Sequence, residues 1–337
     1  TYPPTTEDAP AGLHPTVRTL GLQFAEFKIC GSNARCIAML NAFKQVIEDY
    51  QTPAQTTLSR HLPTHLSPQI AFLVRMRPLS TTMGNAIRFL KNYITSIDID
   101  TPDSDAKAQI IDKIDEFVRD RITMADKVIV QHGLQKIQCG DVILTYGCSS
   151  VVKQLLLTAH AQQIAFQVVV VDSRPLLEGH KLLHDLVAAG IPCTYTYLNA
   201  VSYAMKQVSK VFIGTHAVLS NGTLLSRTGT AIVAMTAHNR NIPVIVCSET
   251  YKFTEKVQLD SFVWNELGNS HDVIRSATQP TLPNPAAPLQ NWESIAQLKV
   301  LNPMYDITPS EYLTMAITEV GMLPFTSVPV VLREYRI

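Results

Sequence analysis

"DVILTYGCSS", residues 141–150, is the stretch on which the fold turns. A short β-rich run ends at Tyr146, and Gly147-Cys148-Ser149-Ser150 hands the chain to a helical pattern. Four further runs of the same kind follow, separated by helical segments: "FQVVVVDSR" from Phe166, "CTYTYLN" from Cys193, "KVFIGTH" from Lys210 and "IPVIVCSET" from Ile242. Continuous apolar runs suit strands buried on both faces, and helices between them suit right-handed βαβ crossovers. The pattern predicts a Rossmann-like, doubly wound parallel sheet. Ligands gather at the carboxyl ends of such strands, which here carry Tyr146 to Ser149, Asp172-Ser173-Arg174, Thr215-His216 and Ser248-Glu249-Thr250.

Upstream, from Thr16 to about Arg121, apolar residues recur at three and four spacing, as in Ile37, Leu40, Phe43 and Ile47. Pro53, Pro63, Pro68, Pro78 and Pro102 are expected to mark breaks between helices. The segment from Asp103 to Ile137 reads as one long amphipathic helix. The expected α/β organisation is a flexible lead-in at 1–12, a helical domain at 13–125 whose linking helix extends to about 138, and a Rossmann-like domain at 139–337. A mobile Pro-rich loop is expected at about 268–292.

Composition limits the choices of function. Among 337 residues, 28 Lys and Arg balance 28 Asp and Glu, so no global field draws in nucleic acid or an anionic membrane. Six scattered cysteines without a CxxC pair favour free thiols in a reducing compartment. No run of about 18 apolar residues occurs and the start lacks signal-peptide character, so a soluble cytoplasmic protein is expected, its opening residues a stub of something longer.

Four constellations invite chemistry. The turn at Gly147-Cys148-Ser149-Ser150 offers backbone N–H groups to a phosphate or an activated Cys148, or is a tight turn capped by Ser149 or Ser150. Arg174 clamps a phosphate or pairs with Asp172 or Glu178. Asn221-Gly222 signals a tight turn, Ser226-Arg227-Thr228-Gly229-Thr230 opens a helix where an anion is comfortable, and His216 is a general acid or base or a structural imidazole. His180 and His184 have zincin spacing but lack the glutamate and a third ligand, so no metal site is expected. A nucleotide-binding G-x-G-x-x-G is absent after the first strand. In "GSNARCIAML", residues 31–40, Ser32 or Asn33 is expected to cap a helix from Ala34, with Arg35 a partner contact or a pair for Glu48 or Asp49.

These stretches in this order, with "RPLSTTMGNAI" (77–87), "VVVVDSRPLLEG" (168–179), "NGTLLSRTGTA" (221–231), "PVIVCSETYKF" (243–253), "LNPMYDITP" (301–309) and "TEVGMLPFTSVPVVLRE" (318–334), resemble the regulatory subunits of eukaryotic translation initiation factor 2B. Within that family the set looks like the delta type, of which an N-terminal extension is expected to be missing here. The same family is similar to isomerases acting on ribose 1,5-bisphosphate and methylthioribose 1-phosphate. Against the isomerase pattern, Gly147 takes the thiol's place with Cys148 one residue late, and His216 stands for the catalytic carboxylate. Arg77, Arg174, Asn221, Gly222, Gly229 and Thr230 still match, while Arg227 replaces a lysine.

The resemblance implies a non-catalytic regulatory subunit of a guanine-nucleotide exchange factor, without cofactor or metal. It implies pairing with a beta subunit through the α/β domain, alpha, gamma and epsilon subunits in the same complex, and recognition of the alpha subunit of initiation factor 2. The helical domain would sense that partner's phosphorylated serine loop through arginines, for which Arg35, Arg75, Arg77 and Arg88 are the candidates. The alternative is a sugar-phosphate isomerase or sensor that uses the vestigial pocket of Gly147, Cys148, Arg174, His216, Asn221 and Arg227.

Overall fold

The computed structural model describes residues 12–277 and 292–334. They fall into two units: one runs to Lys127 and includes Glu249–Thr254 and the chain from Leu332, the other holds Val128–Ser248 and Glu255–Val331. The lead-in expected at 1–12 lies, but for Gly12, outside the described residues, as does the stretch 278–291 of the expected Pro-rich loop.

The first unit is helical: α1 (Pro15–Ala25), α2 (Ser32–Asp49), α3 (Leu58–Met76), α4 (Thr81–Ser96) and α5 (Asp103–Val118). In α2, Cys36, Met39, Leu40, Phe43, Val46 and Ile47 lie on one stripe and all are buried. They join Val17, Phe24, Leu62, Leu66, Leu73, Met83, Ile94 and Ile110 in one apolar cluster. The α4 helix begins where Ser80 Oγ accepts the Met83 N–H at 3.3 Å.

Three expectations are corrected here. Pro63 and Pro68 do not break the chain but sit inside α3. Each forfeits one backbone hydrogen bond, yet the buried face of Leu58, Leu62, Leu66, Phe72 and Leu73 continues through both, and packing decides. The helix after Asp103 is not uniform: a π segment, Arg119–Met124, separates α5 from α6 (Ala125–Leu134). It turns the buried face from Ile110, Ile114 and Phe117 onto Ile122 and Ala125. Ser32 and Asn33 do not cap α2; Gly31, at φ +94°, occupies the N-cap and makes no side-chain bond.

The expected 139–337 domain also includes Glu249–Thr254, which the structure groups with the helices instead. Asn33 Nδ2 donates to Glu249 Oε1 (2.5 Å), the Tyr251 hydroxyl donates to Asn33 Oδ1 (2.6 Å), and Asn85 Nδ2 donates to the carbonyls of Tyr251 (2.8 Å) and Phe253 (3.2 Å). The β8 pair Phe253–Thr254 closes this segment.

The second unit holds a seven-stranded sheet. Its strands are β1 (Val142–Tyr146), β2 (Gln167–Asp172), β3 (Cys193–Tyr197), β4 (Lys210–Gly214), β7 (Val244–Cys247), β10 (Met315–Thr318) and β11 (Gly321–Leu323). The order is β11-β10-β7-β4-β1-β2-β3, parallel throughout except for β11. Val168, Val170, Leu155, Leu156, Phe212 and Ile245 share its core, which is why the strands read as unbroken apolar runs. Of the helices, α7 (Ser150–Ala161), α8 (Gly179–Ala188), α9 (Val201–Ala204) and α10 (Thr230–His238) lie between strands, while α11 (Ser270–Ala277) and α12 (Val328–Glu334) follow later. The α11 helix corrects the expectation of a loop over 268–292 for its own residues.

A second sheet was not foreseen. The hairpin of β5 (Ala217–Leu219) and β6 (Leu224–Arg227) turns at Asn221-Gly222, and β6 pairs antiparallel with β9 (Tyr305–Thr308). Strands of three and four residues are too short to show a period of their own.

Candidate functional site

In the parallel sheet the strand order reverses between β1 and β4, and a crevice opens at such a point outside the carboxyl ends. A cavity of about 430 Å³ lies at the ends of β1 and β2. Tyr146, Gly147, Asp172, Ser173, Arg174, Glu178, Arg227 and Thr228 form one side, and Leu198, Leu301 and Met304 help close it with apolar surface. Its ionisable wall therefore carries two carboxylates and two guanidiniums.

Tyr146, Arg227 and Asp172 each have partners within the protein. The buried Tyr146 hydroxyl bonds Ser173 Oγ (2.7 Å) and the Thr228 carbonyl. Burial, with Asp306, Asp172 and Glu178 nearby, pushes its pKa up to about 12, so it stays protonated and is no base. Arg227 Nη2 donates to Glu178 Oε1 at 2.6 Å, and its guanidinium lies 5.2 Å from the centre of the Tyr305 ring. The Asp172 carboxylate accepts from the Ser173 N–H (2.9 Å) and the Tyr195 hydroxyl (3.0 Å). Gly179 starts α8 against it: a Cβ there would meet Asp172 Cγ at 2.7 Å.

The start of α10, where an external anion was expected to be comfortable, is occupied from within. Asp306 Oδ2 accepts the N–H groups of Gly229 (2.7 Å) and Ala231 (3.0 Å). Burial nevertheless raises the Asp306 pKa to about 6, outweighing the two donors. Gly229 is at φ +110°, and a Cβ on it would meet Tyr146 Oη at 2.4 Å and Leu198 Cδ2 at 2.7 Å. Only glycine lets the tyrosine and the helix start approach so closely.

Of the pocket residues named from sequence, the structure brings together Gly147, Arg174 and Arg227 in the cavity wall. Gly147 is at φ +64° and donates its N–H to the Val171 carbonyl (2.9 Å). The exposed Arg174 guanidinium stands 5.5 Å from the centre of the Tyr197 ring, while Glu178, one of its expected partners, holds Arg227. Cys148, His216 and Asn221 lie outside that wall. Cys148 is exposed, and desolvation holds its thiol above the ordinary value, the opposite of an activated nucleophile. Ser149 caps α7 instead, accepting from Val152 N at 3.5 Å. The His216 ring packs 4.3 Å from that of Tyr305. Asn221 Oδ1 accepts from the Thr223 hydroxyl (2.8 Å) and serves the hairpin turn.

In the helical unit, Arg35 is 1% exposed: Nη2 donates to the Pro78 carbonyl (2.5 Å) and the guanidinium faces Phe24. Arg77 is 3% exposed, bonded to the Ile29 carbonyl (3.5 Å) and stacked on Phe27. Arg35 is therefore corrected from a partner contact to an interior one, and Arg77 takes the structural role that was open to it beside a partner contact, because each finds an aromatic face and a carbonyl inside the helices. Arg75 and Arg88 are exposed. His180 and His184 are exposed too, and among the described residues no group of three His, Cys, Asp or Glu has metal-holding geometry.

Sequence reasoning missed Asp306, and it placed Tyr146 and Glu249 at strand ends without the partners that fix their charge. Glu249 was expected at a ligand-binding strand end, yet it is fully buried, with Lys252 Nζ at 2.7 Å holding it ionised against the cost of burial. The available signal was the polar Glu-Thr-Tyr-Lys run directly after an apolar strand.

A helical unit and a doubly wound, mostly parallel-sheet unit with a cavity at its strand ends is thus the class defined, and residues 28–325 match the Initiation factor 2 subunit family, to which the chain belongs. It is 51% identical over 332 residues to translation initiation factor eIF2B subunit delta of Schizosaccharomyces pombe, covering 98% of this chain and 71% of that protein. To the eIF2B subunit delta of Dictyostelium discoideum it is 50% identical over 324 residues, covering 96% of this chain but only 52% of that one, so it spans about half of that relative's length. A chain of the tetrameric eIF2B-beta2-delta2 complex from C. thermophilum superposes with a TM-score of 0.80 at 36% identity, covering 91% of this chain and 92% of its own. More distant is the ribose 1,5-bisphosphate isomerase of Pyrococcus furiosus, 28% identical over 316 residues, 92% of this chain and 90% of that enzyme.

Proposed function

We propose that this chain is a non-catalytic, delta-type regulatory subunit of a translation initiation factor 2B complex. It supports assembly of the guanine-nucleotide exchange factor and helps recognise the alpha subunit of initiation factor 2, phosphorylated or not. It pairs with a beta subunit through the 139–337 domain, with alpha, gamma and epsilon subunits in the same cytoplasmic assembly. The observation that carries this is that the groups an anion would meet have partners in the protein: Arg227 in the cavity wall donates to Glu178, and beside it the α10 start donates to Asp306. Aldose-to-ketose isomerisation needs a thiol and a carboxylate on either side of the reacting carbons. The resemblance to the isomerases implies that Gly147 and His216 stand at those two positions, and His216 is outside the cavity wall.

Partner pairing is supported by exposed apolar side chains, with Leu259 87%, Phe262 90% and Trp264 78% exposed. For the phosphorylated partner, Arg75 and Arg88 on the helical unit are the accessible guanidiniums. Two measurements test this function. Purified chain incubated with ribose 1,5-bisphosphate or methylthioribose 1-phosphate should yield no ketose. Alone it should self-associate, whereas co-expression with a beta subunit should give a monodisperse complex by light scattering. Ketose formation, or a monodisperse chain indifferent to beta, overturns the assignment. A sugar-phosphate sensor is the second possibility, favoured by the cavity and its two arginines; saturable heat on titrating sugar phosphate, without turnover, would select it.

A further inference from the structure

Three imidazoles outside the cavity meet at one end of the helical unit. His14 is the N-cap of α1: its Nδ1 accepts the Thr16 N–H at 3.3 Å and its Nε2 lies 3.0 Å from Asp49 Oδ2. Because an N–H points at Nδ1, the proton sits on Nε2 and is donated to Asp49. The C-cap of α2, Tyr50, is 5% exposed and its hydroxyl is 2.5 Å from His61 Nδ1 on α3. His65, one turn further along α3, has its ring 5.0 Å from that of Tyr50. Gln69, also on α3, accepts the His14 backbone N–H (3.1 Å) and donates to the Gly12 carbonyl (3.1 Å). The cluster therefore joins the start of α1 to α2 and α3.

We propose that His14, His61 and His65 form an acid-sensitive latch that holds the start of α1 against α2 and α3 near neutral pH and releases it on acidification. The ionisable groups around it are Asp49 and Tyr50 on α2 and Asp103 and Lys107 on α5. Lys107 donates to the carbonyls of Glu48 (3.0 Å) and Tyr50, so a positive charge is already present. A second proton on His14 has to go to Nδ1, where it faces the Thr16 N–H donor to donor, and the cap bond is lost. The His61 contact can reverse, because a hydroxyl both donates and accepts. Mutual repulsion of the imidazoliums then adds to the lost cap, and Asp49, its side chain 71% exposed, offsets it weakly. In the same direction, burial first, then His61 and His14, hold the His65 pKa below its ordinary value. At His65, below about pH 6.5, the ordinary imidazole range, the unfolded chain accordingly binds more protons than the folded one, and that contribution to stability falls as pH falls.

The test is amide hydrogen exchange on the full chain at pH 7.5 and 5.5, corrected for intrinsic rates, comparing α1 peptides with α4 peptides. Loss of one cap should raise α1 exchange about fivefold relative to α4 at the lower pH. His14→Asn keeps a capping oxygen and loses the titration, so it should abolish the difference. An α1-to-α4 ratio independent of pH in the wild-type chain, or a pH dependence that persists in His14→Asn, refutes the latch. If that variant fails to fold, a proton NMR titration of the wild-type His65 ring decides: a midpoint at or above the free-imidazole value counts against it.

Discussion

Replacing Asp306 by Asn tests what holds the carboxyl at the start of α10. Oδ2 of Asp306 takes two N–H groups at the start of α10, yet burial raises its pKa from 3.8 to about 6. A carboxyl whose folded pKa lies above its unfolded value stabilises fully below the unfolded value and loses that stability as pH rises through the folded one. Between those limits the loss approaches about 3 kcal/mol, at 1.36 kcal/mol per pKa unit. Part of that loss is already present at pH 5, so about 1–2 kcal/mol of change falls between pH 5 and 7.5. Asp306→Asn presents an uncharged acceptor to the same N–H groups and has no such term. Urea unfolding followed by circular dichroism at pH 5 and 7.5 should show the stability of the variant rising against wild type by about 1–2 kcal/mol. A constant difference, or a variant that loses ground as pH rises, would refute the claim that desolvation outweighs the helix N–H groups.

Three other outcomes follow from particular contacts. Asn85→Ala orphans the Tyr251 and Phe253 carbonyls in the helical unit and should cost about 2–4 kcal/mol by urea unfolding, with exchange rising at 249–254. Gly229→Ala forces a Cβ onto the Tyr146 hydroxyl at positive φ, so it should cost more than about 2 kcal/mol; combining it with Tyr146→Phe, which deletes that oxygen, should recover part of the loss. Cys148 should react with iodoacetamide at pH 7 no faster than a free-cysteine peptide, as its raised pKa requires, and rapid selective alkylation would contradict this.

What could be read from the residues alone is what lies within about one turn or one strand of chain. The Val168 to Val171 run announces a strand buried on both faces, and the stripe from Cys36 to Ile47 announces a helix. The strand-to-helix turn at Gly147, with Ser149 as cap, and the hairpin turn at Asn221-Gly222 were legible for the same reason. The ordered motifs resembled the family without any contact being known.

Tertiary structure decided whatever depends on which distant groups meet. Pro63 and Pro68 look like breaks until the face of α3 is seen to be buried on either side of them. Asn33 looks like a cap, but Glu249 and Tyr251, more than 200 positions away, claim its side chain. For Arg35 and Arg77 sequence left a partner contact and a structural role both open, and the structure lays each over a phenylalanine in the interior. Asp306 reaches α10 from 75 positions downstream and fills the place left for an anion. Propensity, periodicity and turn chemistry act locally, so sequence carries them openly; burial and desolvation depend on long-range packing, and these set the charges that decide what the cavity can do.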